Sequence, residues 1–248
     1  MILSRISPVA LFTTVMFFLC SCNGNDKTTE TDKMSTDTLN TTTTSTIESA
    51  PASTIVTTPQ AMLLVRHKVA NFSKWMTSYD GHDSMRVASG MHNYVIGRGV
   101  KDSNMVFVAV KADDTERAKT FSKDPSLKKA MQQGGVIGAP SVSMVMVMYM
   151  DSAANSATRA LTTFMVKDWD TWTKAFEQGK QERIDNGISV RAYGHEVGNN
   201  NKVTLVTAIN DSAKAVAYWN SDMLKKRREA SGVMSTPDRF VYRVVKRY

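Results

Sequence analysis

Leu127-Lys128-Lys129, Gly135-Val136 and Pro140 return in the same spacing as Leu224-Lys225-Lys226, Gly232-Val233 and Pro237, a displacement of 97 residues. The same shift carries Trp75 onto Trp172, Val69 onto Val166, Arg86 onto Arg183, Gly90 onto Gly187 and Gly97 onto Gly194. Asn104 meets Asn201, Val106 meets Val203, Asp114 meets Asp211 and Ala118 meets Ala215, all without a gap. One unbroken register that aligns turns and aromatic residues marks an internal repeat. The folded part is therefore expected to be one unit used twice, over residues 60–151 and 157–248.

Each copy has the same pattern. A short apolar run, Met62 to Val69 or Leu161 to Val166, predicts a strand. It is followed by a helical stripe, Phe72, Trp75, Tyr79, His82 and Arg86, matched by Trp169, Trp172, Phe176, Gly179 and Arg183. Gly90 or Gly187 stops the helix. Two strands follow, separated by Lys101 to Asn104 or Gly198 to Asn201. Asp114 or Asp211 is placed to cap a second helix, and a last strand runs over Val142 to Met150 or Phe240 to Val245. The order is βαββαβ, the ferredoxin-like unit.

Both helices of such a unit cover one sheet face, yet neither face is polar here. With a two-residue period, Val142, Met144, Met146, Met148 and Met150 point one way and Val145, Val147 and Tyr149 the other. Apolar surface left wet costs about 25 cal/mol for each Å², so the two copies are expected to pack sheet against sheet. The fold class is then α+β, two tandem repeats forming an internal pseudo-dimer in a monomer.

Leu64-Val65-Arg66-His67-Lys68-Val69-Ala70-Asn71-Phe72 with Trp75, then Leu127 to Met131 and Gly135-Val136 to Pro140, resembles the dimeric α/β-barrel superfamily, in its antibiotic-biosynthesis-monooxygenase-like branch. The resemblance covers residues 61–150 directly and 160–247 through the repeat. It implies an intramolecular barrel with ligands held between sheet and helices. Members include cofactor-free monooxygenases, haem-degrading enzymes, isomerases and proteins without known activity, so fold is implied more firmly than reaction.

Upstream of the repeats, Arg5 precedes an apolar run from Val9 to Leu19, too short to span a bilayer and remain there, which predicts a signal peptide over residues 1–21. Leu19-Cys20-Ser21-Cys22 resembles the lipobox of bacterial lipoproteins, with Cys22 as the residue that is diacylated after cleavage. Asn23, rather than Asp, makes the outer membrane the expected destination. Removal of Cys20 and lipidation of Cys22 would leave no thiol for a disulfide, so core packing has to hold the fold. Residues 22–59 are dominated by Thr and Ser and are expected to form a disordered tether of about 35 Å end to end.

The net charge is +8, and residues 1–60 hold 3 basic and 5 acidic side chains, so the positive surplus belongs to the folded part. Nucleic acid is not expected as a partner: the densest run, Lys225 to Arg228, lacks interleaved aromatics and ends in Glu229, as a solvated helix end does. No metal and no cofactor is expected. The four histidines, His67, His82, His92 and His195, show no ligand spacing with cysteine or paired acids. Met144 to Met150 read as adaptable core filler rather than a copper site.

His67 shares a strand face with Leu63, Val65 and Val69 and is the candidate catalytic residue, a proton acceptor or donor. Trp75, Tyr79, His82 and Arg86 form the candidate ligand-binding stripe. The second copy has Phe164 in place of His67 and Gly179 in place of His82, so any site is expected in the first copy. The leading expectation is an envelope lipoprotein, anchored to the membrane by lipid, that binds a small apolar ligand there. The alternatives are an enzyme, either a cofactor-free monooxygenase or a haem degrader using His67 with Asn71 and Trp75, and a structural envelope protein with a solid barrel.

Overall fold

The computed structural model describes residues 53–248. The expected signal peptide, the expected lipidation site Cys22 and all but the last residues of the expected tether lie outside the described residues. Within the stretch expected to be tether, β1 (Ile55–Val56) pairs antiparallel with the end of a later strand, Ile55 opposite Asp151 and Val56 opposite Met150. Order therefore begins earlier than residue 60, because Ile55 and Val56 find a free strand edge to bond.

The first half then runs β2 (Gln60–Val69), α1 (Phe72–Gly81), α2 (Asp83–Ala88), β3 (Met91–Gly99), β4 (Met105–Ala112), α3 (Thr115–Ser122), α4 (Pro125–Gln133) and β5 (Val136–Asp151). The second half repeats the order as β6 (Thr158–Met165), α5 (Trp169–Gln178), α6 (Lys180–Asp185), β7 (Ile188–Glu196), β8 (Asn199–Ile209), α7 (Ser212–Trp219), α8 (Asp222–Ala230) and β9 (Asp238–Arg247). The 97-residue shift carries α1 onto α5, α2 onto α6, β3 onto β7, α3 onto α7 and α4 onto α8, residue for residue.

Local chemistry sets the helix ends. The side chains of Asn71 and Asp168 accept from the backbone N–H of Lys74 and Thr171, and those of Asp114 and Asp211 from Arg117 and Lys214, so one orphaned first-turn donor of each helix is satisfied. The single helix expected over Phe72 to Arg86 is two, broken at His82, and the counterpart breaks at Gly179. The second helix is likewise split, because Asp124 caps a new start with Pro125 in the first turn. Gly90 and Gly187 both have φ of 71°, a left-handed conformation that a side chain would strain, and each turns the chain from helix into strand.

All strands pair antiparallel in one nine-stranded sheet, ordered β1-β5-β2-β4-β3-β9-β6-β8-β7, with β7 also bonded back to β5. The halves are thus joined through their edges, β3 to β9 and β5 to β7, and not by face packing alone. One buried cluster draws on both halves: Met62, Leu64, Val95, Phe107, Val145, Val147 and Met150 from the first, Leu161, Ala192 and Tyr242 from the second. Each such large side chain stabilises by about 1.5–3 kcal/mol relative to exposure. Two arginines are buried beside it, Arg159 and Arg191, the latter donating to the Tyr94 hydroxyl at 2.5 Å.

The expected alternation along the last strand of the first half does not hold to its end. Met144 packs on the helix side of the sheet, as expected, but Met150 joins Val145 and Val147 in the cluster shared by both halves. A register shift between Val147 and Tyr149 in the β5–β7 ladder inserts an extra residue, and the parity of every later side chain changes. Tyr149 is thereby delivered to the second half, where it stacks on Tyr193 at 5.0 Å.

Candidate functional site

The five residues singled out in the first half come together. His67 from β2, Trp75 and Tyr79 from α1, His82 at the helix break and Arg86 from α2 all line one cavity between the sheet and its helices. Leu63, Val65, Val108 and Val110 form its floor, with Phe121, Leu127, Ala130 and Met131 on the helix side. The cavity holds about 750 Å3 of empty space, part of it open to solvent.

His67 is 4% exposed, and neither ring nitrogen has a hydrogen-bond partner. Its position explains this. In the β2–β5 ladder Arg66 pairs with Ser141 and Lys68 with Ile137, so a bulge containing Gly138 and Pro140 lies across from His67. Burial lowers the imidazole pKa to about 4, so the ring is neutral at pH 7. One of its nitrogens then carries a proton to donate and the other a lone pair, each costly to bury unused.

The aromatic stripe is a stack. Trp75 lies 5.4 Å from the His67 ring, Tyr79 stacks on Trp75 at 5.1 Å, and the Arg86 guanidinium sits 3.7 Å over the Tyr79 ring. Arg86 donates to Asp83 at 3.2 Å, and the Tyr79 hydroxyl donates to Asn93 at 2.6 Å. Burial raises the Tyr79 pKa, so the phenol keeps its proton. His82 Nδ1 donates to the Ser78 carbonyl at 2.6 Å, which holds the ring at the helix break. Asn71 is not part of the cavity lining; its side chain is committed to capping α1.

The second half, where no site is expected, also has a cavity with polar lining. An equivalent cavity of about 690 Å3, again partly open, lies between β6–β9 and their helices, and its walls include Arg183, Arg227, Arg228 and Arg239. The run Lys225 to Arg228 is only half solvated: Lys225 and Lys226 are exposed, whereas Arg227 and Arg228 are half-buried. The 97-residue register itself held the missed signal, since it sets Arg227, Arg228 and Arg239 against Ala130, Met131 and Val142 of the first half. An apolar position replaced by a cation in one copy alone is not a requirement of the fold.

No protein-family model matches the chain, and no curated protein does. Solved structures do. A protein provisionally described as a monooxygenase from Lactobacillus acidophilus NCFM superposes with a TM-score of 0.50 at 12% identity, over 75% of this chain and 94% of that one. A similarly described protein from Fusobacterium nucleatum gives 0.52 at 13%, and an anthrone oxidase-like protein 0.53 at 13%, each covering 77% of this chain and 94% of its own. Likeness at such identities is a likeness of fold. The architecture is that of the α+β proteins with an antiparallel sheet to which these structures belong.

Proposed function

We propose that the first-half cavity binds a small, largely apolar ligand carrying one hydrogen-bonding group, which His67 recognises. The observation that carries this reading is the imidazole buried with both nitrogens unused in a cavity otherwise walled by aliphatic and aromatic side chains. A ligand hydroxyl, amine or carbonyl would satisfy one nitrogen while Trp75 and the valines of the floor cover its apolar body.

The architecture we infer is a duplicated unit whose copies close an intramolecular α/β barrel. The return of β7 to β5 and superpositions spanning three quarters of the chain, more than one half could supply, both support it. The barrel is carried, in this reading, on a lipid anchor at Cys22 in the bacterial envelope, a placement supported by the Leu19-Cys20-Ser21-Cys22 sequence.

The second reading is an oxygenase, favoured by the neutral state of His67 and by fold likeness to proteins described as monooxygenases. A general base works best with a pKa near the working pH, and a value of about 4 suits an acceptor of hydrogen bonds better than an abstractor of protons. Haem breakdown fits less well. Of the group Asn71, Trp75 and His67, Asn71 is committed to its cap and does not line the cavity.

Native mass spectrometry of the full chain released gently from its own envelope tests the first reading. A retained small molecule is expected, and His67→Phe, which installs the second half's residue, should release it. Retention unchanged in both His67→Phe and His82→Ala would end the proposal. Oxygen uptake with the retained molecule, lost in His67→Phe, would establish the oxygenase instead.

A further inference from the structure

The second-half cavity poses an electrostatic problem that the first does not. Arg183 is 5% exposed, lies 3.7 Å over the Phe176 ring and donates through Nη1 to the Phe176 carbonyl at 2.5 Å, while its Nε and Nη2 have no partner. Its counterpart Arg86 has Asp83 beside it, but the residue 97 further on is Lys180, so the carboxylate has been replaced by another cation. Arg239 lies 4.2 Å over the Trp219 ring with its Nε also unpartnered. Among the described residues no carboxylate lies within 4.0 Å of Arg183, Arg228 or Arg239; only Arg227 is paired, to Glu182, which also accepts from the Tyr218 hydroxyl.

A guanidinium taken out of water with no carboxylate in contact destabilises a fold, and Glu177 and Glu182 act on Arg183 only from beyond contact distance. Neighbouring like charges add to the cost, and burial together with Arg228 depresses the pKa of Arg239 to about 10. Such a cluster, in which Arg228 and Arg239 are gained in one copy only and Arg183 has lost the carboxylate that Arg86 keeps, persists at a cost that a bound anion would remove. Between the arginines the walls are Phe164, Trp172, Phe176, Leu205 and Trp219, so the complementary molecule is apolar over most of its surface.

We propose that the second-half cavity is a separate site for an organic anion, its apolar body against Trp172 and Trp219 and its carboxylate or phosphate held by Arg183, Arg228 and Arg239. Guanidinium forks match either head group in a bidentate manner. The two halves thus carry two different sites, a neutral one around His67 and an anionic one here.

The test uses a matched pair of fluorescent probes on the full chain: 1-anilinonaphthalene-8-sulfonate and its uncharged parent N-phenyl-1-naphthylamine. The sulfonate is expected to bind at least tenfold more weakly to R228M/R239V, whose new residues are those of the first half, with the neutral probe changed less than twofold. His67→Phe should leave sulfonate binding unchanged, which keeps this site distinct from the first. Because R228M/R239V removes half-buried like charges, its urea midpoint is expected to equal or exceed that of the parent, so lost binding cannot be put down to lost fold. Equal sulfonate affinity in parent and R228M/R239V, whether from binding to exposed apolar patches or to the first cavity, would overturn the proposal. So would sulfonate binding that His67→Phe abolishes.

Discussion

The ring of Tyr242 fills the space that a side chain on Gly97 would need. A Cβ built on Gly97 would stand 2.9 Å from Cε2 of Tyr242 and closer still to Cδ2, at the seam where β3 meets β9. Tyr242 cannot retreat, being 1% exposed and packed on Phe107 at 4.7 Å. The repeat-related Gly194 stands at the other seam, where β7 meets β5, and a Cβ there would lie 2.8 Å from Cα of Val147 and nearer to the Met146 carbonyl. Both glycines are thus explained by the joining of halves. Gly97→Ala is expected to lower stability by roughly 1–3 kcal/mol, as overpacking does. Gly194→Ala meets backbone instead of a ring and should cost more. Equilibrium urea unfolding of the two variants checks the order; equal, negligible effects would show that the seams are not closed in solution.

Stability should depend on pH through His67. Its folded pKa of about 4 lies below the unfolded value of 6.5, so the unfolded chain binds more protons between those limits. The native state is favoured fully above pH 6.5, and that advantage is lost as pH falls toward 4. At roughly 1.4 kcal/mol per unit, the change is about 3 kcal/mol in all. Denaturation measured at pH 7.5 and pH 4.5 for the parent and His67→Phe should show a smaller acid loss in the variant. An identical loss would mean that the imidazole is hydrated in the native state.

Arg159 is 2% exposed, donates from Nε to the Ser156 carbonyl at 3.2 Å and has no partner for Nη2. Desolvation lowers its pKa. An apolar side chain of similar length avoids that burial cost, so Arg159→Met is expected to be neutral or stabilising by about 1–4 kcal/mol. A fall in melting temperature would assign Arg159 a counter-charge that the fold alone does not supply.

Lipid attachment is predicted at Cys22. Metabolic labelling with an alkynyl fatty acid in a bacterial host should mark the chain, and Cys22→Ser should abolish the label while Cys20→Ser leaves it. A label that survives Cys22→Ser would remove the anchor from the proposal.

Much of this was legible beforehand because it rests on local rules repeated twice. Asp114 and Asp211 cap where an acid precedes a helical run, Gly90 and Gly187 turn where a helix must stop, and the 97-residue shift located every helix of the second half from the first. His67, Trp75, Tyr79, His82 and Arg86 could be grouped because strand alternation and helical spacing aim them at one layer. The split at His82 was less visible, since a broken helix and a continuous one present the same stripe. The arginines of the second cavity were misread from their neighbours: Lys225 to Arg228 is locally a charged helix end, and only comparison with Ala130 and Met131 reveals its inward half.

By itself the sequence determined the repeat, the order of strands and helices in each copy and the side chains that share a face, because these follow from periods of two and 3.6 residues and from short-range capping. Only the tertiary structure decided how the halves meet: which edges bond, where the bulge after Val147 exchanges the two faces of the strand so that Tyr149 packs on the other half, and which cations have no carboxylate in contact. Those outcomes depend on contacts between residues distant along the chain, such as Tyr149 with Tyr193 and Gly97 with Val244, and hydrogen-bond register and desolvation exist only once such residues are brought together.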